Sequence, residues 1–312
     1  MSGETYHSCR RVAILEKYRD RIKALEGNDP RTAIGVLGYV GLQMGIAIAA
    51  GLFQWPLACI IVIGYTIGGL ASQALFFALH EASHRLIFVS EIANQALLYA
   101  INAPFALPVV HSFYKYHWDH HRELNVIGKD PDVALEWERA LPKPLWMAIQ
   151  MPLYILRPVA CIPRTFNVKD VQNTLAMLAV HVPITWILGW RPLLYLISSV
   201  LMGGGLHPLA GHFIAEHCLP SKGVIDKSVG RPQETASTYG WLNKLLFNGG
   251  YHVEHHDFPN IPCWRLQELH RIASEFYDGL TSHSTWYSAA WGFLTNHLYK
   301  LSNRVLHNKK NN

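Results

Sequence analysis

The sequence predicts an all-α integral membrane protein, with four transmembrane helices in two hairpins and a cytosolic helical cap that carries histidine boxes. Charged residues make up only 16% of the 312 residues, whereas average soluble domains contain about a quarter. Two long stretches are nearly free of charge: residues 34–79 contain no charged side chain, and residues 171–215 contain only Arg191. The chain nevertheless has 18 histidines, several of them in tight clusters.

The same composition excludes a disordered chain, a coiled coil and a disulfide-framed secreted domain. The five cysteines are scattered without a C-x-x-C pair, which argues against a cysteine-ligated zinc ribbon. A net charge of +5 could indicate nucleic-acid binding. The basic residues cluster at the two ends of the chain, however, and this fits a membrane surface better. We interpret residues 1–312 as one membrane domain.

Residues 1–33 are predicted to form a cytosolic leader. Residues 9–26 have apolar positions at roughly helical spacing among basic ones, which predicts an amphipathic helix, either solvated or lying at the membrane interface. Seven Lys or Arg precede residue 34, while the predicted hairpin turns contain only Arg191. Because cytosolic segments carry the excess of positive charge, both termini are predicted to be cytosolic.

Residues 34–79 are long enough for two membrane spans of about 20 residues each, with a turn at Gln54-Trp55-Pro56. A second hairpin is predicted over residues 175–214, with its turn at Trp190-Arg191-Pro192. Residues 216–312 would then form a cytosolic region. Two further apolar stretches, residues 92–110 and 145–163, contain prolines and polar interruptions. These features favour segments that lie in or on the membrane without crossing it.

Three histidine boxes provide the candidate site. Box 1 contains His80 and His84, box 2 contains His117, His120 and His121, and box 3 contains His252, His255 and His256. Helical residues at i, i+3 and i+4 share a face, so each box can direct at least two imidazoles at one metal ion. A single zinc site needs four ligands, and eight histidines therefore predict two metals.

Four membrane crossings would place all three boxes on the cytosolic side, where they can converge. A full crossing by residues 92–110 would leave box 2 opposite box 1, so that segment should be re-entrant or interfacial. A ninth ligand is expected from His207, His212 and His217, whose spacing of five prevents all three from facing one metal. His217 lies nearest the predicted depth of the boxes and is our choice, with His212 as the alternative. Seven other histidines are predicted not to bind metal: His7, His111, His181, His270, His283, His297 and His307.

The ligand type leaves the metal open, because imidazole suits zinc, copper, iron and nickel. One alternative is an intramembrane zinc protease, since His80-Glu81-Ala82-Ser83-His84 matches H-E-x-x-H, but that reading leaves boxes 2 and 3 unused. A metal transporter is disfavoured by the scarcity of polar residues in the spans. No separate catalytic acid or base is predicted. The carboxylates Glu81, Asp119 and Glu254 either orient ligand imidazoles or lie on the surface.

The three boxes resemble those of the membrane fatty-acyl desaturase and hydroxylase superfamily. More narrowly, residues 207–217 (HPLAGHFIAEH) and 250–262 (GYHVEHHDFPNIP) are similar to the sphingolipid delta-4, or dihydroceramide, desaturases. Residues 27–32, 154–158 and 233–235 also fit that family, so the resemblance covers nearly the whole chain. The sequence departs from the family pattern at Val253, at residues 236–239 and in an apparent insertion at residues 221–232.

The resemblance implies a non-haem di-iron enzyme that uses O₂ and two electrons to convert dihydroceramide to ceramide, with a trans double bond between C4 and C5. Alternatives within the superfamily are C4-hydroxylation of sphingolipids or desaturation of another fatty-acyl chain. The electrons would come from an external cytochrome b5 and its NAD(P)H reductase, since the chain has no His-Pro-Gly-Gly haem signature. The expected location is the endoplasmic reticulum membrane, and Lys309-Lys310 matches a dilysine retrieval signal.

Overall fold

The structure, a computed structural model, describes residues 5–161 and 167–308. It is mostly helical, as predicted. Pro163 of the predicted 145–163 segment and the dilysine pair Lys309-Lys310 lie outside the described residues. The α-helices are α1 (Tyr6–Lys23), α2 (Arg31–Leu52), α3 (Leu57–Ile63), α4 (Gly69–Ser83), α5 (Glu91–Asn102), α6 (Val110–Arg122), α7 (Glu136–Arg139), α8 (Lys143–Cys161), α9 (Val168–Leu188), α10 (Arg191–Gly203), α11 (His212–Ala215), α12 (His252–Asp257), α13 (Leu266–Ile272), α14 (Ser274–Tyr277) and α15 (Trp286–Thr295).

The first charge-free stretch forms two long helical segments. Helix α2 ends at Leu52, and α3 begins at Leu57 and continues through a π-helical turn, Gly64–Gly68, into α4. The break falls at the predicted turn, where Gln54 has a positive φ of 48° and Pro56 is extended. Both segments are long and apolar enough to cross a membrane.

The second, nearly charge-free stretch forms a less regular hairpin than the sequence predicts. Helix α9 begins earlier than expected, at Val168, because Asn167 and Asp170 form a reciprocal capping box. Only 11% of its most apolar window is buried within the protein, as expected for a helix that faces lipid. The segment predicted over residues 193–214 is broken: α10 ends at Gly203, and the chain bends by 42° before the next helical segment, Pro208–Ala215.

Small residues let the two stretches pack closely. The π-helical turn and α4 contact α10, where Gly64 and Gly68 lie against Ser198 and Ser199. A Cβ atom at Gly203 would lie only 3.0 Å from the Gly69 carbonyl oxygen, so the two backbones approach closely at these glycines. Close backbone approach of this kind stabilises helix pairs in membranes, where dispersion contacts replace the hydrophobic effect.

The segment around residues 92–110 turns back on itself. Helix α5 and the short 3₁₀ turn Ala103–Phe105 meet α6 at an angle of 108°. Ala106 has a positive φ of 58°, and the Asn102 side chain accepts hydrogen bonds from the backbone N–H groups of Val109 and Val110. The described residues contain three candidate membrane spans, or up to five if each bent pair counts as one span. The chain is therefore a membrane protein, and the four-span arrangement stays a prediction.

A helical cap joins the ends of these segments. It is formed by α1, α12, α13, α14 and α15, with a small antiparallel pair, β1 (Ile225–Asp226) and β2 (Arg231–Pro232). Ile14 and Ile22 of α1 are fully buried in the core that also contains Leu269 and Phe276. Helix α1 therefore packs against α12 and α13 through its apolar face, and whether its outer face meets water or the membrane interface stays a prediction.

Candidate metal centre

Box 1 lies at the C-terminal end of α4. His80 and His84 are one turn apart, and their ring centroids are separated by 5.2 Å. The helix ends directly after the box, where Arg85 has a positive φ of 59°. The Trp118 indole N–H donates to the Ser83 carbonyl at 3.1 Å, which ties the end of α4 to box 2.

Box 2 reaches box 1 because of the 108° turn before α6. His84 Nε2 lies 2.6 Å from His117 Nε2, and His121 Nε2 lies 3.1 Å from the same atom. His117 and His121 are at i and i+4 and face the same way, as the spacing predicts. His120, by contrast, faces a different group of histidines.

Box 3 completes both groups from α12. His255 Nε2 lies 3.2 Å from His121 Nε2, whereas the His256 ring is 5.2 Å from that of His120. His252 Nε2 lies 3.1 Å from His217 Nε2. Helix α12 has only six residues, so its position depends on its neighbours rather than on its own stability.

The nine predicted histidines form two groups. In the first, five ligand atoms lie within 4.8 Å of one another; they belong to His80, His84, His117, His121 and His255. The second contains the other four predicted ligands, with His217 contacting His120, His252 and His256. His212 lies outside both groups, packed against Phe76, Phe77 and Phe213.

The donor atoms of both groups fit bound metal ions. Two imidazole nitrogens that bind one ion at about 2.1 Å are separated by about 3.0–3.4 Å at ordinary coordination angles, close to the separations of 2.6–3.2 Å found here. His80 Nε2 and His256 Nε2 are buried and have no hydrogen-bond partner among the described residues. A bound cation would satisfy these lone pairs, which are costly to bury unpaired.

The electrostatics favour the neutral, metal-binding form of four of the clustered histidines. Burial, reinforced by neighbouring histidines, lowers the pKa of His217, His252, His255 and His256 well below its usual range. Their rings are therefore uncharged at neutral pH, and each keeps a lone pair for a metal. The chemistry of this donor set suits zinc, iron, copper or nickel.

The carboxylates that lie nearest the clustered imidazoles differ from those considered in the sequence. Asp130 accepts a hydrogen bond from His120 Nδ1 at 2.9 Å, and Asp132 lies 3.3 Å from the same atom. Glu216 lies 3.7 Å from His252 Nδ1. Burial acts to raise the pKa of Asp130, but His120 and Arg304 outweigh it and lower the pKa to about 2. The carboxylate is thus ionised and can fix the His120 tautomer.

The three carboxylates proposed from the sequence have other partners. Glu81 accepts from the Cys263 backbone N–H, and Glu254 bonds with Ser237, Tyr239 and His270. Asp119 lines a surface cavity on the outer side of α6. No sequence signal marks Asp130 and Asp132, which stand outside the quoted motifs, whereas Glu216 directly precedes His217 in the 207–217 stretch and could have been considered.

The N-terminal helix holds box 3 in place. Arg10 of α1 is fully buried; its Nε donates to Asp257 at 3.0 Å, and its Nη1 pairs with Asp226 of β1. His7 bonds to Asp257 at 2.7 Å, and its ring lies 5.0 Å from that of His256. Asp257 is the last residue of α12, so these contacts fix the helix that carries the three histidines of box 3.

Two cavities adjoin the histidines. A small one of about 40 Å³ lies between the two groups and is lined by members of both, including His80, His117, His120, His217, His252 and His255. A larger one of about 380 Å³ has mainly apolar walls, among them Leu79, Phe105, Met151 and Val200, and it reaches His117. An apolar chain could therefore lie beside the metal ligands.

Comparison with known proteins identifies relatives of this chain. The family profile described as "Fatty acid desaturase" matches residues 53–288. A "Sphingolipid delta(4)-desaturase" of Candida albicans is 39% identical over 96% of this chain and 85% of its own. A human "Sphingolipid delta(4)-desaturase/C4-monooxygenase DES2" is 40% identical over 92% of this chain and 88% of its own. A "Sphingolipid delta(4)-desaturase DES1" of Drosophila melanogaster is 38% identical over 93% of this chain and 89% of its own.

Proposed function

The chain belongs to the fatty acid desaturase family and is an oxidoreductase, and from this premise we propose that it is a sphingolipid delta-4 desaturase. It converts dihydroceramide to ceramide by forming a trans double bond between C4 and C5. The relatives named for this activity align with nearly the whole chain. The observation that carries the proposal is the pair of histidine groups beside a mainly apolar cavity that reaches one of them.

Two iron ions would be held by the nine histidines, five at one ion and four at the other. When bound, the iron pair supplies the two-electron activation of O₂ that hydrogen removal from an unactivated C–H bond requires. The balance is one –CH₂–CH₂– unit, O₂, two electrons and two protons going to one –CH=CH– unit and two waters. No side chain is needed as a separate acid or base.

The protein's own contribution is to position the alkyl chain and exclude water. The cavity walls of Leu79, Phe105, Met151 and Val200 can hold the sphingoid chain in an extended form next to His117. Such positioning turns a reaction between separate molecules into one between neighbours. The mainly apolar walls keep water away from the oxidant. Asp130, through His120, keeps a ligand ring in its binding orientation.

C4-hydroxylation is a second candidate activity of the same site. The human relative is named both a delta(4)-desaturase and a C4-monooxygenase, and one oxidant can perform either reaction on the same carbon. The zinc-protease alternative has lost its basis, because all three boxes converge and Glu81 bonds to the Cys263 backbone.

The electron donor would be a separate cytochrome b5-type protein that docks on the cytosolic face. Arg85, Lys115, Arg122 and Lys169 line a surface cavity of about 530 Å³, together with the acidic Glu91 and Asp119. Trp118 lies at this cavity, and its ring is 5.0 Å from the His84 ring. A net basic surface steers an acidic partner towards it, and Trp118 offers a short route to the ligands.

The location proposed for the protein is the endoplasmic reticulum membrane, with both termini in the cytosol and four crossings. The excess of basic residues in the leader supports this orientation. The 108° turn before α6 supports a re-entrant segment, since it brings box 2 back to box 1.

Lipid mass spectrometry of cells that express the chain, and that lack their own activity, tests the function. We expect ceramide to form from labelled dihydroceramide, with phytoceramide as a second product. His255→Ala should abolish both products, whereas His297→Ala, a change at an exposed histidine outside both groups, should not. Absence of both products from membranes with iron-loaded enzyme and reductant would refute the proposal.

A further inference from the structure

A third cavity, of about 50 Å³, adjoins the histidine groups on a different side and is lined in part by polar side chains. His217 forms part of its wall, so it lies directly beside the four-histidine group. Five of its side chains present buried polar atoms that have no hydrogen-bond partner among the described residues: Gln150 Oε1, His212 Nε2, Arg139 Nε, Glu216 Oε1 and His217 Nδ1. Glu216 and His217 already belong to a candidate metal-binding cluster, whereas Gln150, His212 and Arg139 do not. The volume is enough for a few atoms of a polar group.

The hydrogen bonds of these side chains define what each free atom offers. His212 Nδ1 must donate to the Leu209 carbonyl, which is 3.2 Å away, so Nε2 of the neutral ring is an acceptor. The Gln150 amide nitrogen donates to the carbonyls of Gly205 and Ala210, which leaves Oε1 as an acceptor. Arg139 Nε is a donor. Gln150, His212 and Arg139 thus present two acceptors and one donor to the cavity.

Buried polar atoms without partners are rare, because each costs free energy when it loses its contact with water. Gln150 and His212 are 2% and 1% exposed. Their free acceptors point to a ligand that supplies hydrogen-bond donors within a short distance, together with an acceptor for Arg139.

The polar cavity also adjoins the mainly apolar one. Phe76, Tyr154 and Asp132 line both of them and the small cavity between the histidine groups. A bound molecule with a polar end and an alkyl chain could therefore place the junction between the two parts next to the metal ligands. In a delta-4 reaction the oxidised carbon is directly bonded to C3, which carries a hydroxyl group, and the amide is on C2.

We propose that the cavity lined by Arg139, Gln150 and His212 binds the amide and hydroxyl groups of the sphingoid head, and that this contact sets the double bond at C4. Hydroxyl and amide N–H groups would donate to Gln150 and His212, and the amide carbonyl would accept from Arg139. The inference rests on the proposed function, since it assigns the recognition of that substrate. An acyl desaturase that acts far from the head group would need no polar subsite beside the metal.

Two variants test the proposal, each with a matched control. Gln150→Leu removes one acceptor. Its control is Gln73→Leu, the same change at another buried glutamine. The Gln73 side chain also donates to a helix carbonyl and has an Oε1 without a partner among the described residues, but it lines none of the three cavities. His212→Phe keeps the aromatic packing and removes the acceptor, and His212→Gln restores an acceptor near the position of Nε2.

The measurements are equilibrium binding of N-octanoyl dihydrosphingosine and of 1-octadecanol to purified iron-loaded enzyme in nanodiscs, and kcat and KM for dihydroceramide. We expect Gln150→Leu and His212→Phe each to weaken dihydroceramide binding and raise its KM about 10-fold, without changing octadecanol binding or iron content. Products with the double bond displaced from C4 should appear. Gln73→Leu should bind both ligands normally, and His212→Gln should recover part of the loss.

Unchanged affinity and KM in both Gln150→Leu and His212→Phe would overturn the inference. So would wild-type enzyme that binds dihydroceramide no more tightly than octadecanol. If the wild type binds dihydroceramide selectively through these residues but forms no ceramide or phytoceramide, the subsite stands and the proposed reaction fails.

Discussion

Replacing Arg10 by methionine should release box 3 from the N-terminal helix. The change keeps the apolar part of the side chain and removes the guanidinium, which is fully buried against Asp226 and Asp257. Both carboxylates would then lie buried without their cation. Breaking a buried ion pair in this way costs about 3–5 kcal/mol, a large fraction of the stability of a typical protein.

The assay is thermal unfolding of the purified enzyme, together with iron content per chain. A loss of about 3–5 kcal/mol should lower Tm by on the order of 10 °C. Iron should fall at both positions, because His255 belongs to one group and His252 and His256 to the other. Arg19→Met, at an exposed position of the same helix, should leave Tm and iron nearly unchanged. If Arg10→Met kept both the wild-type Tm and its iron, α1 would not be positioning box 3.

Three further outcomes are expected. Asp130→Asn should weaken iron binding about 10- to 100-fold in chelator competition, because an uncharged amide oxygen is a weaker acceptor for His120 than the carboxylate that orients it. Asp119→Asn should not weaken iron binding, and equal effects of the two changes would contradict the assignment of the orienting carboxylate. His217→Ala should lower the iron content, measured by elemental analysis, from two ions per chain towards one, whereas His207→Ala should retain both ions. A normal iron content in His217→Ala would remove His217 from the ligand set. In stopped-flow measurements, Arg122→Glu should slow the oxidation of reduced cytochrome b5 by the enzyme and weaken the dependence of that rate on salt concentration. An unchanged rate would mean that the electron donor docks on another surface.

The histidine boxes were readable from the sequence because their geometry is local. Residues at i and i+4 share a helix face, so His117 and His121 meet one group. His120 directly precedes His121 and therefore points about 100° away from it around the helix, towards the other group. The choice of His217 over His212 followed from its depth at the end of an apolar stretch, and the structure brings His217 to His252. The membrane helices could be predicted just as directly from the charge-poor stretches, since a long apolar run has few alternatives to a membrane helix.

Contacts between residues far apart in the sequence could not be predicted in this way. Arg10 and Asp257 are 247 positions apart, and nothing in either neighbourhood indicates the other. Asp130 is only 10 positions from His120, but it lies in an irregular segment where spacing does not specify direction. Glu81, Asp119 and Glu254 stand inside or beside the boxes, and proximity in sequence was a poor guide to which carboxylates orient the ligands.

A helical membrane protein and its histidine boxes could be predicted from the sequence alone, because apolar length and helical periodicity act within a few turns of chain. The division of the histidines into two groups, the carboxylates beside them and the buried polar atoms without partners among the described residues came from the tertiary structure. Those properties depend on how α4, α6, α11 and α12 cross one another. Such crossings are set by packing summed over the whole fold, which no single segment encodes.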